Sequence, residues 1–533
     1  MWPQTYAPVA GSLYVSALVA MLPVFVVLIM LGVLRKPAWM AAMSGFAVAA
    51  ITSVAAYGMP VGTAISSALY GAANGMMPIG WIVFTAILLY KVTVDTGKFE
   101  IIKDSLGGIT QNRSIQALLI AFAFSGFIEG AAGFGTPVAI SAAMLAGMGF
   151  PPFLAASICL LANTAPVAFG SIGTPMVMLQ RVTNLPMEAL SANTGRLCAP
   201  IALILPSYLM LVMGGIPALR AALPASIVCG VAFAVTQFLI SSYVGPSLAG
   251  ILPAIVCMAG LLLLLKFWTP VGDEKKVPSR HSSGEIFLAW SPYLLLVICV
   301  LIWGYPTTKA ILEKATITFQ WPGLHNIVQR VPPITPVPAP YAALYPFSYL
   351  SAPGTSCLLA VILSCLVLKV SPPRLARLVG ATAKQLALPL LTIASVVALA
   401  FIMNYSGQTA TLGVVVAGTG AAFPFFGTVL GWLGVFLTGS DTSANALFGT
   451  LQMVTATQLG LSPVLMASAN SAGGVLGKMI SLQSIAVAAA ATGMPRTEES
   501  TLLRFTLKHS IFLTCIMGLL TLMFAYVVPQ WVR

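Results

Sequence analysis

Apolar runs of about twenty residues, the length that crosses the hydrocarbon core of a bilayer, recur along the whole of this chain. They lie near 13–34, 38–57, 75–91, 115–128, 136–148, 152–179, 197–214, 221–242, 248–268, 287–305, 348–369, 383–403, 410–438, 443–458, 463–490 and 510–531. Charges are correspondingly scarce: 25 Lys/Arg and 12 Asp/Glu among 533 residues, or 7%. A soluble domain carries about a quarter of its residues as charges, so this chain cannot build a water-facing surface. A mean hydropathy of +0.97 agrees. A soluble enzyme, a nucleic-acid binder and a disordered protein are excluded. What is left is an all-α polytopic membrane protein. Several runs are too short or too Gly-rich to cross, so roughly 12 to 14 transmembrane helices are expected, the other runs being re-entrant or broken.

The net charge of +13 fits the same class. Basic residues collect in the cytoplasmic loops of membrane proteins, and acidic ones weigh little on orientation. Arg35 and Lys36 form one such group, and Lys91, Lys98, Lys103 and Arg113 a second. Lys275, Lys276 and Arg280 form a third, Lys369, Arg374, Arg377 and Lys384 a fourth, and Arg496, Arg504 and Lys508 a fifth. All these loops can share one side, which is cytoplasmic by the positive-inside rule and leaves both termini outside. The Pro-rich 306–346 segment is then external and reads as a stiff connector. Met1 to Val15 has no basic stretch ahead of the first apolar run, so no cleaved signal peptide is expected. Cys159, Cys198, Cys229, Cys257, Cys299, Cys357, Cys365 and Cys515 all lie in apolar stretches without a CxxC pair. They read as small buried hydrophobes rather than as a zinc site or a disulfide framework.

Two segments stand apart, 124–178 and 433–487. Both are dense in Gly, Ala, Ser, Thr and Asn, and each holds one acidic residue near its start. Glu129 lies 23 residues before Pro152, and Asp441 lies 22 before Pro463. A serine follows each Pro (Ser157, Ser468), and Asn beside a hydroxyl residue follows in Asn163-Thr164 and Asn470-Ser471. The spacing drifts at that last pair, so the repeat is weak. Paired Gly/Pro-interrupted apolar segments in the two halves of a chain mark a transporter's central site. The chain divides accordingly into N-terminal scaffold helices (1–114), a first transport repeat (115–215), connecting helices and loops (216–382), a second transport repeat (383–492) and a C-terminal loop with the last helix (493–533).

An ionised carboxylate is costly in hydrocarbon, so Glu129 must face a cavity, pair, or take up a proton. The alternative is a structural carboxylate held by nearby amides. Asp441 sits in Thr438-Gly439-Ser440-Asp441-Thr442-Ser443-Ala444-Asn445. Such a run can unwind and present backbone groups to a ligand, or it can cap a helix. Lys478, beside Gly473, Gly474 and Gly477, can meet an anion or pair with Asp441 or Glu129; otherwise it snorkels from a helix end. GGVLGKM lacks the glycine spacing and the hydroxyl of a phosphate loop. Arg196 is a second cation candidate or a loop arginine at the membrane surface, with Arg181 and Glu188 in the same loop. Gly133, Gly135, Thr136-Pro137 and Gly173-Thr174-Pro175 are chain breaks. They either expose half-helix N–H groups to an anion or pack helices tightly. His281, His325 and His509 fall in or beside loops, and the spans hold no HExxH, Ser–His–Asp set or metal cluster. An intramembrane enzyme is therefore poorly supported, no cofactor is called for, and the paired breaks favour a carrier over a channel.

GFIEGAAGFGTPVAI at 126–140 resembles the signature of the L-lactate permease family. So do NTAPVAFGSIGTP at 163–175, GWLGVFLTGSDTSANALFG at 431–449, GGVLGKMISLQSIA at 473–486 and RFTLKHS at 504–510. The likeness runs from TYAP near the N-terminus to the final span. It implies a bacterial plasma (inner) membrane symporter that imports L-lactate, and often D-lactate and glycolate, with protons. It also implies an ion-transporter-superfamily-like fold of inverted repeats with re-entrant hairpins, often as a homodimer. Glu129, Asp441, Lys478 and Arg196 match the family pattern at their own positions. Leu482 departs from it: the family's KMISPQS run has Pro there, a residue that would enforce a helix break just after Lys478.

The mechanism so implied brings a 2-hydroxymonocarboxylate to a midplane site. Its carboxylate meets Lys478 or Arg196 and the helix ends around 133–137 (Gly133, Gly135, Thr136) and 440–445 (Ser440, Thr442, Ser443, Asn445). Its hydroxyl meets Asn163, Thr164, Asn470 or Ser471, and the proton travels on Glu129 or Asp441. One proton per anion offsets an opposing potential worth about 2.3 kcal/mol per charge per 100 mV. A related-fold carrier of another organic anion, with sodium in place of the proton, is the alternative.

Overall fold

The computed structural model describes residues 1–133, 135–270 and 281–532. Phe134 and the basic group Lys275, Lys276 and Arg280 lie outside the described residues, as does the side chain of Arg496. Among the described residues, ten helices are long and apolar enough to cross a membrane. A bent pair, Pro152–Ala162 with Val167–Thr183, turns through 63° and makes an eleventh candidate. The helix Met187–Tyr243 is interrupted at Gly214 and Gly215, and each half is long enough for a span. Ile251–Phe267 and Pro353–Val367 are shorter apolar helices. The chain is thus an all-α polytopic membrane protein. Its helices differ in what they face: in Leu13–Val33 33% of the most apolar window is buried, against 94% in Arg113–Ala131. The first meets lipid, and the second is enclosed by protein.

Eight helices position the site. We label Arg113–Ala131 α1, Thr136–Gly147 α2, Pro152–Ala162 α3 and Gly170–Thr183 α4. Phe423–Thr438 is α5, Asp441–Gln458 α6, Pro463–Lys478 α7 and Leu482–Thr492 α8. The weak sequence repeat is a clear structural one. Both α2 and α6 end in the same turn, with Gly149 (φ 86°) and Gly460 (φ 67°) left-handed, a conformation open to glycine at no steric cost. The amides of Phe150 and Leu461 then reach back to the carbonyls of Leu145 (3.1 Å) and Ala456 (2.9 Å). Pro152 and Pro463 open the next helix, where a missing N–H loses no bond. Each unit is a helix, a break, a helical hairpin, a second break and a helix. The units also exchange ends, since α4 packs on α6 while α8 packs on α2 and α3.

Within the second unit, α5 and α7 touch backbone to backbone. A Cβ on Gly431 would lie 2.0 Å from the Asn470 carbonyl oxygen, on Gly473 2.1 Å from that of Thr428, and on Gly477 2.3 Å from that of Trp432. Lipid offers no hydrophobic gain for helix association, so contact of this closeness is what holds such a pair together.

The Pro-rich 306–346 segment is more than a connector. Ile317–Gln320 pairs antiparallel with Leu344–Phe347. Val328–Arg330 pairs with Ala339–Pro340 and, in parallel, with Trp2–Pro3. The pairing with Trp2–Pro3 joins residues more than 300 apart in the chain, which a reading of the segment as a stiff connector cannot anticipate. Trp321 and Tyr345 pack on Tyr70 with ring centroids 5.3 and 6.3 Å away. Seven of the cysteines are buried as expected, but Cys515, in the helix Glu499–Tyr526, is exposed.

Candidate substrate site

Four chain breaks set the site, each with a local cause. Helix α5 stops at Gly439 (φ 71°). Ser440 then caps α6 by accepting the Ser443 amide at 3.3 Å, which leaves Asp441 as the first helical residue. Helix α7 stops at Lys478, and Ser481 caps α8 through the Ser484 amide at 3.2 Å. The break after Lys478 is therefore present although Leu482 replaces the family's Pro, because a serine cap starts the next helix instead. Between α1 and α2 the chain turns on Gly133 (φ 63°) and Gly135 (φ 79°). At the start of α4 three consecutive residues, Ser171, Ile172 and Gly173, are left-handed (φ 45°, 58° and 77°). Ser and Ile are strained there. Ser171 Oγ holds the turn by donating to the Ala132 carbonyl (2.7 Å), and Thr174 Oγ1 by donating to that of Ser171 (2.6 Å).

Three of the breaks open onto one cavity of about 70 Å³, and the fourth, at Gly133 and Gly135, packs behind it on Ser171. Its lining includes Glu129 from α1, Gly170, Ser171, Thr174 and Pro175 from α4, the Gly439–Thr442 break, Lys478 from α7 and Gln483 from α8. Glu129, Asp441 and Lys478 are 4%, 3% and 8% exposed. Lys478 Nζ donates to the Gly439 carbonyl at 2.6 Å. Asn163 Nδ2 donates to Glu129 Oε2 at 3.2 Å. Ser471 Oγ donates to Asp441 Oδ2, while Asp441 Oδ1 has no partner. The ammonium interacts electrostatically with both carboxyls, yet no salt bridge forms among the three. The backbone crowds both acids: a Cβ on Gly474 would lie 2.3 Å from Asp441 Oδ1, and one on Gly170 2.8 Å from Glu129 Oε1. One cation, two carboxyls and a ring of hydroxyl and backbone groups in a buried space suit a small polar anion.

Behind the lining runs an amide network that ties α4, α6 and α7. Asn445 Nδ2 donates to the Pro175 carbonyl (3.1 Å) and to Ser471 Oγ (3.2 Å). Asn470 Nδ2 donates to Asn445 Oδ1 (2.9 Å), and Gln452 Nε2 to Asn470 Oδ1 (3.2 Å). Of the residues expected at the site, Glu129, Ser440, Asp441, Thr442 and Lys478 line the cavity. Asn163, Ser443, Asn445, Asn470 and Ser471 stand behind it and hold the lining in place. Gly133 packs on the Ser171 side chain, and Gly135 and Thr136 begin α2; none of the three is in the lining. Thr164 is buried with an unpartnered hydroxyl outside the cavity.

Arg196 requires a correction. It belongs to no loop, since Met187–Tyr243 is already helical there, and it donates to the Trp531 carbonyl near the chain's end. That bond takes its side chain away from the cavity. Arg181 and Glu188 do not share a loop either. Arg181 is in the last turn of α4, while Glu188 opens the next helix and pairs with Lys309 at 3.3 Å. Sequence reading missed Gly170, Ser171 and Gln483. The first two immediately precede the Gly173-Thr174-Pro175 break, a signal that could have found them. Gln483 carries no such signal and enters only because α8 folds back.

The L-lactate permease family profile matches residues 16–528. L-lactate permease of Bacillus subtilis is 43% identical over 564 residues, covering 99% of this chain and 100% of that one. L-lactate permease of Escherichia coli K12 is 42% identical, covering 99% and 98%. Glycolate permease GlcA of the same organism is 43% identical with the same coverage. Among solved structures, Neisseria gonorrhoeae MtrF superposes at 12% identity and a TM-score of 0.45 over 87% of this chain and 84% of that one, a likeness too loose to carry an inference. A match that spans almost every residue, at two-fifths identity, leaves one assignment: this chain is a multi-pass membrane transporter belonging to the L-lactate permease family.

Proposed function

We propose that this protein imports L-lactate, together with D-lactate and glycolate, by proton symport across a bacterial plasma membrane, with both termini and the 306–346 segment outside. The two repeats, 115–215 and 383–492, carry the site, and the other helices serve as scaffold. Relatives named as L-lactate and glycolate permeases support the substrate class.

The observation that carries the coupling is the make-up of the cavity, one ammonium facing two carboxyls. Net charge is expensive in so buried a place. The empty site is neutral when Glu129 and Asp441 share one proton against Lys478. An arriving carboxylate adds one negative charge, so neutrality requires a second proton. Loading therefore takes up one proton per anion, and unloading returns it. Lys478 meets the substrate carboxylate through a charge-assisted bond, and Ser171, Ser440, Thr442 and Gln483 are in place for its hydroxyl.

The test is uptake of radiolabelled L-lactate into proteoliposomes under an inward proton gradient without sodium. Accumulation abolished by a protonophore is expected; none at all from folded protein overturns the reading. The Glu129→Gln/Asp441→Asn double variant is expected to exchange lactate across the membrane without accumulating it. If the double variant still accumulates lactate, neither residue carries the coupling. A single Glu129→Gln protein that still accumulates lactate assigns the proton to Asp441.

A further inference from the structure

We infer that Arg181 is an outer anion-binding residue that receives the substrate carboxylate before it passes to Lys478; this rests on the reading of the cavity as a monocarboxylate site. Arg181 lies six residues beyond the cavity-lining Pro175 on α4, about 9 Å along a helix. It sits in the last turn of α4, within electrostatic range of Tyr70 and of Tyr345 in the 306–347 segment, and Glu188, at the start of the next helix, is tied to Lys309 of that segment. Tyr70 and Tyr345 are buried, while Arg181 stays partly exposed and so can be reached.

Among the described residues no carboxylate lies within ion-pair distance of this guanidinium, and it makes no hydrogen bond. None of the Arg181 nitrogens is sealed from solvent without a partner, so its donors are open to an arriving group. A planar carboxylate, accepting two parallel N–H bonds, is the group that fits. Serving the helix end does not explain Arg181, because that end is already satisfied. Asn184 (φ 57°) donates its amide to the Gln180 carbonyl at 2.7 Å. Thr183 Oγ1 donates to the Leu179 carbonyl at 2.6 Å, and Thr450 Oγ1 to that of Val182 at 2.8 Å. A second guanidinium, Arg330, whose buried Nε has no partner among the described residues, lies over Tyr341 at 4.6 Å. Tyr341 stacks on Tyr405, which meets Tyr70 (ring centroids 4.2 and 6.2 Å). The same aromatic layer thus carries positive charge at both edges, a field that draws anions inward.

The experiment is L-lactate uptake kinetics in proteoliposomes at several external salt concentrations. Arg181→Gln is expected to raise KM about tenfold with Vmax within about twofold of native. It should also flatten the native rise of KM with ionic strength. Arg181→Lys, which keeps the charge but loses the bidentate bond, should raise KM about threefold while keeping the salt dependence. An unchanged KM in Arg181→Gln, or a fall in Vmax at constant KM, overturns the inference. Should that variant fail to fold, an unchanged KM in Arg181→Lys does the same. If the native protein takes up no L-lactate, it is the cavity's reading that falls, and this one with it.

Discussion

Replacing Lys478 by Met is expected to lower proton-driven L-lactate uptake about a hundredfold or more. Met is close to Lys in length and apolar, so the packing of α7 is kept and the loss is electrostatic. Removing one partner of a buried, hydrogen-bonded charge pair costs about 2–5 kcal/mol, and each 1.4 kcal/mol is a factor of ten. Two further consequences add to this. Without the ammonium, Glu129 and Asp441 both take protons to keep the cavity neutral, so no carboxylate is left to accept the coupling proton. The Gly439 carbonyl, which Lys478 meets at 2.6 Å, also loses its donor at the break between α5 and α6. Uptake and thermal unfolding of the same purified variant separate the two effects. A Lys478→Met protein that keeps more than about a tenth of the native rate would remove Lys478 from the site.

The largest effect on stability is expected at the glycine contacts of α5 and α7. In Gly473→Ala the new methyl would lie 2.1 Å from the Thr428 carbonyl oxygen, and in Gly431→Ala 2.0 Å from that of Asn470. The obstacle is backbone in both cases, so no side chain can swing aside and the helices must separate. Overpacking of this kind costs about 3 kcal/mol. It also shifts Ser471 and Lys478, which ride on α7, so transport should fall with stability. Gly380→Ala is the control. Gly380 sits inside the helix Pro372–Ser406 with nothing within 4 Å of a built Cβ, so the exchange should stabilise by about 0.5–1 kcal/mol. Thermal unfolding in one detergent compares all three. Equal melting temperatures for Gly473→Ala and Gly380→Ala would show that the close contact does not bear on stability.

Much of the site was legible in the residues because the membrane makes polar chemistry conspicuous. Glu129, Asp441 and Lys478 stood out as charges with no loop to explain them, and the structure brings all three to one cavity. The repeat spacing marked Pro152 and Pro463, and the structure shows each of them following a left-handed glycine turn, at Gly149 and Gly460. What misled was polarity without direction. Asn470 and Ser471 read as substrate contacts and are instead bonded to Asn445 and Asp441 behind the lining. A donor's type shows in the sequence, whereas its target depends on how α6 and α7 are rotated against each other. Arg196 misled likewise, since Trp531, its partner, lies hundreds of residues away in the chain.

The sequence by itself determined the class, the family and the identity of the three buried charges. Hydrocarbon excludes unpaired polar groups so strongly that 20-residue apolar runs and isolated ionisable residues carry meaning without a fold. Only the tertiary structure decided that breaks from both units gather around one cavity, because that meeting depends on α4 crossing to α6 and α8 to α2 and α3. It also decided that α5 and α7 approach through glycine backbone, and that Tyr70 and Tyr405 share an aromatic layer with Trp321, Tyr341 and Tyr345 of the 306–346 segment. These are long-range contacts between segments that carry no mark of one another. Their geometry follows from packing the whole bundle, not from any local preference of the residues involved.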